Sequence, residues 1–223
     1  MNITINAAVS QKLPGFSLGV IEYEGSSVSD SPKMLQGRIN FFVEMLRLDR
    51  SIETITDIPG VHGWRAAFKK LGIAPSRYRP SSESLLRRLL QGNPFFWVNS
   101  AVDVNNFLSV HHALPFGIYD KSALQGDIVC RIGQDTDRYP GLNGREMEMA
   151  SKLLLADEQG AFGSPIVDSV RSKVTEASTN LIQFLFFHEE IPVEEAEQAL
   201  GSAARMFTEV NGGTVSNQRI LHA

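Results

Sequence analysis

Cysteine is almost absent: the 223-residue chain carries one, Cys130. That excludes a disulfide framework and a thiolate metal cluster, and its place inside DIVCRIG reads as a buried structural thiol. Long apolar runs are missing as well. No stretch reaches the roughly 20 residues that span a bilayer, so no membrane partner is expected. MNITINAAVS has neither the basic start nor the apolar stretch of a secretory signal, which leaves the cytoplasm as the expected location. There is no GxGxxG or Walker loop and no glycine-flanked serine elbow, so dinucleotide binding, nucleotide hydrolysis and triad chemistry have no support and no cofactor is expected. His111 and His112 are neighbours, about 100° apart on a helix, without the i, i+4 spacing of helical metal pairs. No metal site is expected.

What is present is an ordinary soluble composition, 43% apolar and 21% charged, with a net charge of −4 that argues against a general nucleic-acid binder, and no DNA partner is expected. The charge is unevenly placed. Between Trp64 and Arg88 stand Arg65, Lys69, Lys70, Arg77, Arg79, Arg87 and Arg88, with Glu83 as the only acid. That stretch sums to +6 and leaves −10 for the remainder of the chain. It reads either as a solvated helical surface or as a local phosphate-binding face.

Periodicity sets the class. ITINAAV and FSLGVIEYEG alternate as strands do, and MLQGRINFFVEMLRLDR has helical spacing. Short helices follow in GWRAAFKKLG and ESLLRRLLQG. Asn99-Ser100 caps a helix through AVDVNNFLSVHHAL that Pro115 ends. FGIYD and DIVCRIG read as strands with KSALQG as a turn between them. LLLAD and AFGSPIV form a strand pair around DEQG, and NLIQFLFF is another strand. Pro192 opens a last helix with acids in its first turn, and TVSNQRILHA reads as a loose tail. Strands and helices interleave without regular alternation, so the class is α+β, with antiparallel strand pairs and helices packed on one side. The whole chain, 1–223, is taken as one domain.

Polar residues cluster at the ends of these elements: Asp103, Asn105 and Asn106; Asp120; Asp157; and DSVRSKVTEASTN from Asp168 to Asn180. Singly, such residues cap and turn the chain. The last run is dense enough to position a small polar ligand.

The order VDVNNFLSVHHALPFGIYD, DIVCRIGQD, LNGREMEMASKLLLADEQGAF and SKVTEASTNLIQF resembles the tRNA-binding and editing domain of the phenylalanyl-tRNA synthetase beta subunit. GWRAAFKKLGIAPSRYRPSSESLLRRLLQGN is similar to free-standing members of that family. The resemblance implies a three-layer α+β domain, mostly antiparallel strands with helices outside. Its core would lie at about 62–187, with residues 1–61 and a helix at 192–211 packed on it. It implies hydrolysis of the ester between a wrong amino acid and tRNA. No metal or nucleophile is required, because the ester is already activated and can be positioned by polar groups. The motifs needed to charge tRNA are missing. Aligned residue by residue, the family's strand histidine falls at Gly117, its glycine pair at Asp168 and Ser169, and its tyrosine-reading glutamate near Gln183 or Phe184. Tyrosyl specificity is therefore not implied.

The expectation is a trans-acting editing hydrolase for mischarged aminoacyl-tRNA. Asp168, Ser169 and Arg171 would be catalytic, and Asn105, Asn106, Gly117 and Thr175 would contact substrate. The basic residues from Arg65 to Arg88 would hold tRNA. Asp103 and Asp120 are assigned to architecture. The alternative is a non-catalytic module that binds tRNA or a small amino-acid-like metabolite.

Overall fold

The structure, a computed structural model, describes all residues, 1–223. The first strand, β1 (Ile3–Ile5), stops after three residues, because Asn6 accepts a hydrogen bond from the Ala8 N–H and caps α1 (Ala7–Lys12). The alternation in ITINAAV predicts a longer strand, and the cap overrides it. β2 (Ser17–Glu24) is followed by four helices: α2 (Lys33–Asp49), α3 (Pro59–Lys70), α4 (Ser81–Leu90) and α5 (Ser100–His112). The Asn99 side chain caps α5 through the Val102 N–H, as its position predicts. Then come β3 (Phe116–Asp120), β4 (Ile128–Ile132), β5 (Arg138–Pro140), β6 (Glu146–Glu148), β7 (Leu153–Asp157), β8 (Gly160–Gly163) and β9 (Leu181–Phe187). α6 (Val193–Asn211) and β10 (Thr214–His222) close the chain.

Two four-stranded sheets result, in the orders β1-β4-β7-β8 and β10-β2-β9-β3, with β5 and β6 as a separate ribbon. All pairings are antiparallel except β1 with β4. The sheets face each other: β1 lies against β10, and Tyr119 of β3 meets Phe162 of β8 edge to face at 5.0 Å. Helices α5 and α6 cover the other side of the second sheet, with Phe207 stacked on Tyr23 at 3.9 Å. The order is therefore sheet, sheet, helices: an α+β fold. One contiguous cluster of 60 buried apolar residues runs from Ile3 to Phe207. Being covered on both faces, β9 is buried along its full length, and LIQFLFF accordingly shows no alternation.

One expectation is corrected here. TVSNQRILHA is not a loose tail but an edge strand paired with β2 from Glu24 to Ser17. Gly212 and Gly213 adopt φ of 63° and 74°, which turns the chain back, and a Cβ at Gly213 would lie 2.6 Å from the Glu24 carbonyl oxygen. Backbone hydrogen bonds rather than burial recruit this strand, so its polar composition conceals it. KSALQG does join two strands, through a 3-10 turn at Lys121–Ala123, but β3 and β4 enter different sheets. No helix is long and apolar enough to cross a membrane.

Candidate functional site

Strand alternation puts Gly117 and Tyr119 on the same face of β3, toward the other sheet. The Tyr119 ring leans over both Gly117 and Gly163, and a Cβ at either glycine would come within 2.3 Å of its hydroxyl. The phenol thus fills the gap between β3 and β8, fully buried. It donates a 2.6 Å hydrogen bond to Asp168 Oδ1, which also accepts the Ser164 N–H at 3.3 Å. Asp168 Oδ2 has no intramolecular partner and is not sealed from solvent. Burial pushes the Asp168 carboxyl up to about 7, against the lowering pull of the two hydrogen bonds. The Tyr119 phenol is pushed well above its ordinary range by burial and by the neighbouring carboxylate.

Beyond Asp168, side chains hold the backbone. Ser169 is buried and its Oγ accepts the Arg171 N–H at 3.1 Å, capping the single 3-10 turn Val170–Ser172. The Arg171 guanidinium grips both oxygens of Asp157 at 3.0 Å and donates to the carbonyls of Ala123 and Gly160. Burial raises the Asp157 carboxyl, but Arg171 and two backbone N–H groups outweigh it and hold the group below its usual range. Thr175 donates its N–H to Ser178 Oγ, which in turn donates to Asp120 at 2.5 Å.

The asparagines lie elsewhere. Asn105 faces the helix side of the second sheet, where its Nδ2 donates to the Phe116 carbonyl. Its Oδ1 accepts from Gln183, whose Oε1 accepts the Tyr23 hydroxyl, making a fully buried relay. Asn106, one residue on, lines a shallow hollow between α4 and α5 with Arg88, Phe95 and Phe96. The second sheet therefore separates Asn105 from Asp168, and the structure does not bring the central helix and the Asp-Ser-x-Arg loop into one cavity. The paired histidines pack on aromatic rings, His111 on Phe107 and His112 on Phe116.

Arg65, Arg79 and Arg87 form a basic face around Glu83, whose side chain is fully buried on α4. Arg65 and Arg87 bond Glu83 at 2.9 and 2.8 Å, and Arg79 lies 4.0 Å away. Lys70 pairs with Glu189. Arg77 and Lys152 both sit over the Tyr78 ring, at 5.4 and 4.3 Å, and Arg88 sits over Phe96 at 5.8 Å. Lys69 is exposed and, with His62, Arg65 and Thr56, lines an open hollow of about 340 Å³. One hydrogen bond joins this face to the Asp168 loop: the Ser81 N–H at the start of α4 donates to the Pro165 carbonyl at 2.8 Å.

Sequence reasoning missed Tyr119 and the anchoring roles of Glu83 and Asp157. Glu83 had a legible signal, since Arg79 and Arg87 flank it at four residues on either side. For Tyr119 the signal is Gly-x-Tyr within a strand, which puts an empty position beside a large one on the same face.

Known proteins resemble this chain over part or nearly all of its length. A family model described as the B3/4 domain matches residues 63–212. The uncharacterized protein YhzB of Bacillus subtilis (strain 168) is 28% identical over 214 residues, covering 96% of this chain and 97% of that protein. The phenylalanine–tRNA ligase beta subunit of Zymomonas mobilis is 27% identical over 127 residues, 56% of this chain but 16% of the ligase subunit. The corresponding Psychrobacter arcticus subunit is 31% identical over 86 residues, 38% of this chain and 11% of the subunit. This chain thus spans only a small part of the length of those ligase subunits. Among solved structures, an N-terminal fragment of the phenylalanyl-tRNA synthetase beta subunit from Pyrococcus horikoshii superposes with a TM-score of 0.49 at 12% identity, over 98% of this chain and 53% of that one.

Proposed function

Because the chain belongs to the B3/4 domain family, we propose that it acts in trans on aminoacyl-tRNA. The basic face of α3 and α4 holds the RNA backbone, and the ester at the acylated end is hydrolysed beside Asp168. Two things support this reading. Part of the chain is shared with tRNA ligase beta subunits. The carrying observation is that Asp168 offers a free Oδ2 on a loop hydrogen-bonded to the basic face.

In the proposed step a water oxygen attacks the ester carbonyl while Asp168 Oδ2 takes the water proton. The ester C–O bond then breaks, and the ribose oxygen leaves with the proton that Asp168 returns to it, which restores the carboxylate. A base titrating near neutrality suits this role. Ser169 and Arg171 serve as positioning residues, since their polar atoms already fix the loop that carries Asp168. Thr175 supports the same region through Ser178 and Asp120, whereas Asn105 and Asn106 belong to the helix packing.

A second reading, saturable binding of tRNA without turnover, is favoured by Tyr119, whose ring fills the gap at Gly117 that an acyl side chain would otherwise enter. One set of measurements separates the two. Mischarged tRNAs are incubated with the protein and with Asp168→Asn, and binding is followed across a salt series. The first reading expects ester hydrolysis that falls about 10²-fold or more in Asp168→Asn while binding persists. Binding that weakens with salt, flattened by Arg87→Ala with Arg88→Ala, but without hydrolysis for any pairing, selects the second. Absence of both binding and hydrolysis refutes the family-based reading.

A further inference from the structure

We propose that α2 is the seam of an antiparallel two-fold homodimer with Phe41 at its axis. The helix lies outside the residues matched by the B3/4 family model, so the inference goes beyond the reading above.

One side of α2 buries Leu35, Ile39 and Val43 in the core. The opposite side carries Met34, Phe41, Met45 and Leu48, which are 87%, 68%, 40% and 79% exposed. At about 100° per residue, Met34 and Leu48 lie about 20° to either side of Phe41, and Met45 lies about 40° away. Single exposed apolar residues are ordinary, but a stripe of four along one helix marks an interaction surface. Gly37 is an independent sign. It costs an α-helix interior about 1 kcal/mol relative to alanine. A Cβ there would meet no atom within 4 Å, so nothing in its own chain requires a glycine. A closely approaching neighbour would.

The placement of residues identifies that neighbour as a second copy. Met34 and Leu48 stand seven residues before and after Phe41, and Gly37 and Met45 stand four before and after. Turning a copy end for end about Phe41 sets Met34 level with the partner's Leu48 and Met45 level with the partner's Gly37. The flanking charges choose the direction. Arg38 and Asp49 share one flank of the stripe, and Lys33 and Glu44 share the other. Antiparallel packing opposes each flank to itself reversed, bringing Arg38 toward the partner's Asp49 and Lys33 toward the partner's Glu44. Parallel packing would bring Lys33 toward the partner's Arg38 and Glu44 toward the partner's Asp49. Like charges would then meet. The seam from Met34 to Leu48 is about 21 Å of helix, small among specific interfaces, so the association is reversible and concentration-dependent.

Sedimentation equilibrium from micromolar to several hundred micromolar tests this. The mass is expected to rise from the 24.6 kDa of one chain toward twice that value. Phe41→Glu is expected to stay monomeric over the same range with unchanged urea stability, because Phe41 is exposed in the single chain. Direction is read by oxidation, since the native Cys130 is buried and an introduced thiol is the accessible one. Phe41→Cys should cross-link to itself. Met34→Cys should not, its two copies lying about 21 Å apart along the seam, but should cross-link when mixed with Leu48→Cys. The proposal is overturned by a monomer at every concentration, by a dimer indifferent to Phe41→Glu, or by self-cross-linking of Met34→Cys.

Discussion

Replacing Asp168 by asparagine isolates the energetic consequence of enclosing a carboxyl between two sheets. In the folded chain the group titrates at about 7, against an ordinary 3.8. A raised carboxyl binds its proton more tightly in the folded state, so below the unfolded value it costs nothing. The folded state loses stability as pH climbs from about 4 through 7. With about three units between the two states, the full cost approaches 4 kcal/mol, and about 2–3 kcal/mol of it develops between pH 5 and pH 8. Histidines act with the opposite sign. His112 is lowered to about 4 by burial, and His111 and His188 are lowered for the same reason. Their unfolded forms take up protons as pH falls toward 5, so they stabilise the fold as pH rises. Neither protein's own pH profile therefore reports on Asp168 alone; the difference between the two does.

Urea unfolding of the wild type and Asp168→Asn at several pH values provides that difference. Asparagine keeps an oxygen that accepts the Tyr119 hydroxyl and carries no charge. About 1–2 kcal/mol of the cost is already present at pH 5, and the variant should gain about 2–3 kcal/mol more on the wild type by pH 8. Tyr119→Phe should do the reverse, removing a donor to the ionised form and costing about 1 kcal/mol more at pH 8 than at pH 5. A difference that stays constant from pH 5 to pH 8 would refute the argument, because it would mean that the carboxyl titrates alike in both states.

Three other perturbations test the remaining anchors. Arg171→Ala strands the fully buried Asp157 carboxylate and should cost about 3–5 kcal/mol in urea unfolding, whereas a loss under 1 kcal/mol would show the clamp to be dispensable. Glu83→Gln leaves Arg65, Arg79 and Arg87 without their common carboxylate; thermal stability should fall, and tRNA affinity in low salt should not. Deleting residues 212–223 uncovers the β2 edge and should make the chain aggregate on concentration where the full chain does not, as seen by light scattering.

How much of this the sequence carried depends on the kind of force involved. Elements held by burial were legible: the spacing of Leu35, Ile39 and Val43, the continuous apolar run of β9 and the Asn99 cap each have a local signature. Elements held by pairing with something distant were not. β10 has little apolar content of its own and exists because β2 offers it an edge. The same holds for the site. Asp168, Ser169, Arg171 and Thr175 stand out in the sequence as a dense polar run, but a run cannot say which members point at a ligand and which tie down backbone. That is decided by Asp157, Tyr119 and Asp120, which lie 14 to 58 residues away from the groups they bind.

Charges committed to the fold cannot also serve a ligand at full strength, and this narrows where binding can occur. Arg171 is balanced by Asp157, Arg131 by Asp137 through two bonds of 2.6 and 2.8 Å, and Lys121 by Glu22. Arg171 and Arg131 are each matched one to one, whereas Glu22 takes Arg219 at 3.5 Å as well as Lys121. The face around Glu83 differs, because one buried carboxylate meets three guanidiniums, Arg77 and Arg88 sit over aromatic rings, and Lys69 is exposed at a hollow it shares with Asp57. Burying Glu83 fixes the arginines in place without cancelling them. That leaves a preorganised positive surplus on a chain whose net charge is −4. A polyanion that prefers this face must therefore be steered by local field rather than overall charge. Its affinity should fall steeply as added salt shortens the screening length, which is about 8 Å at physiological ionic strength.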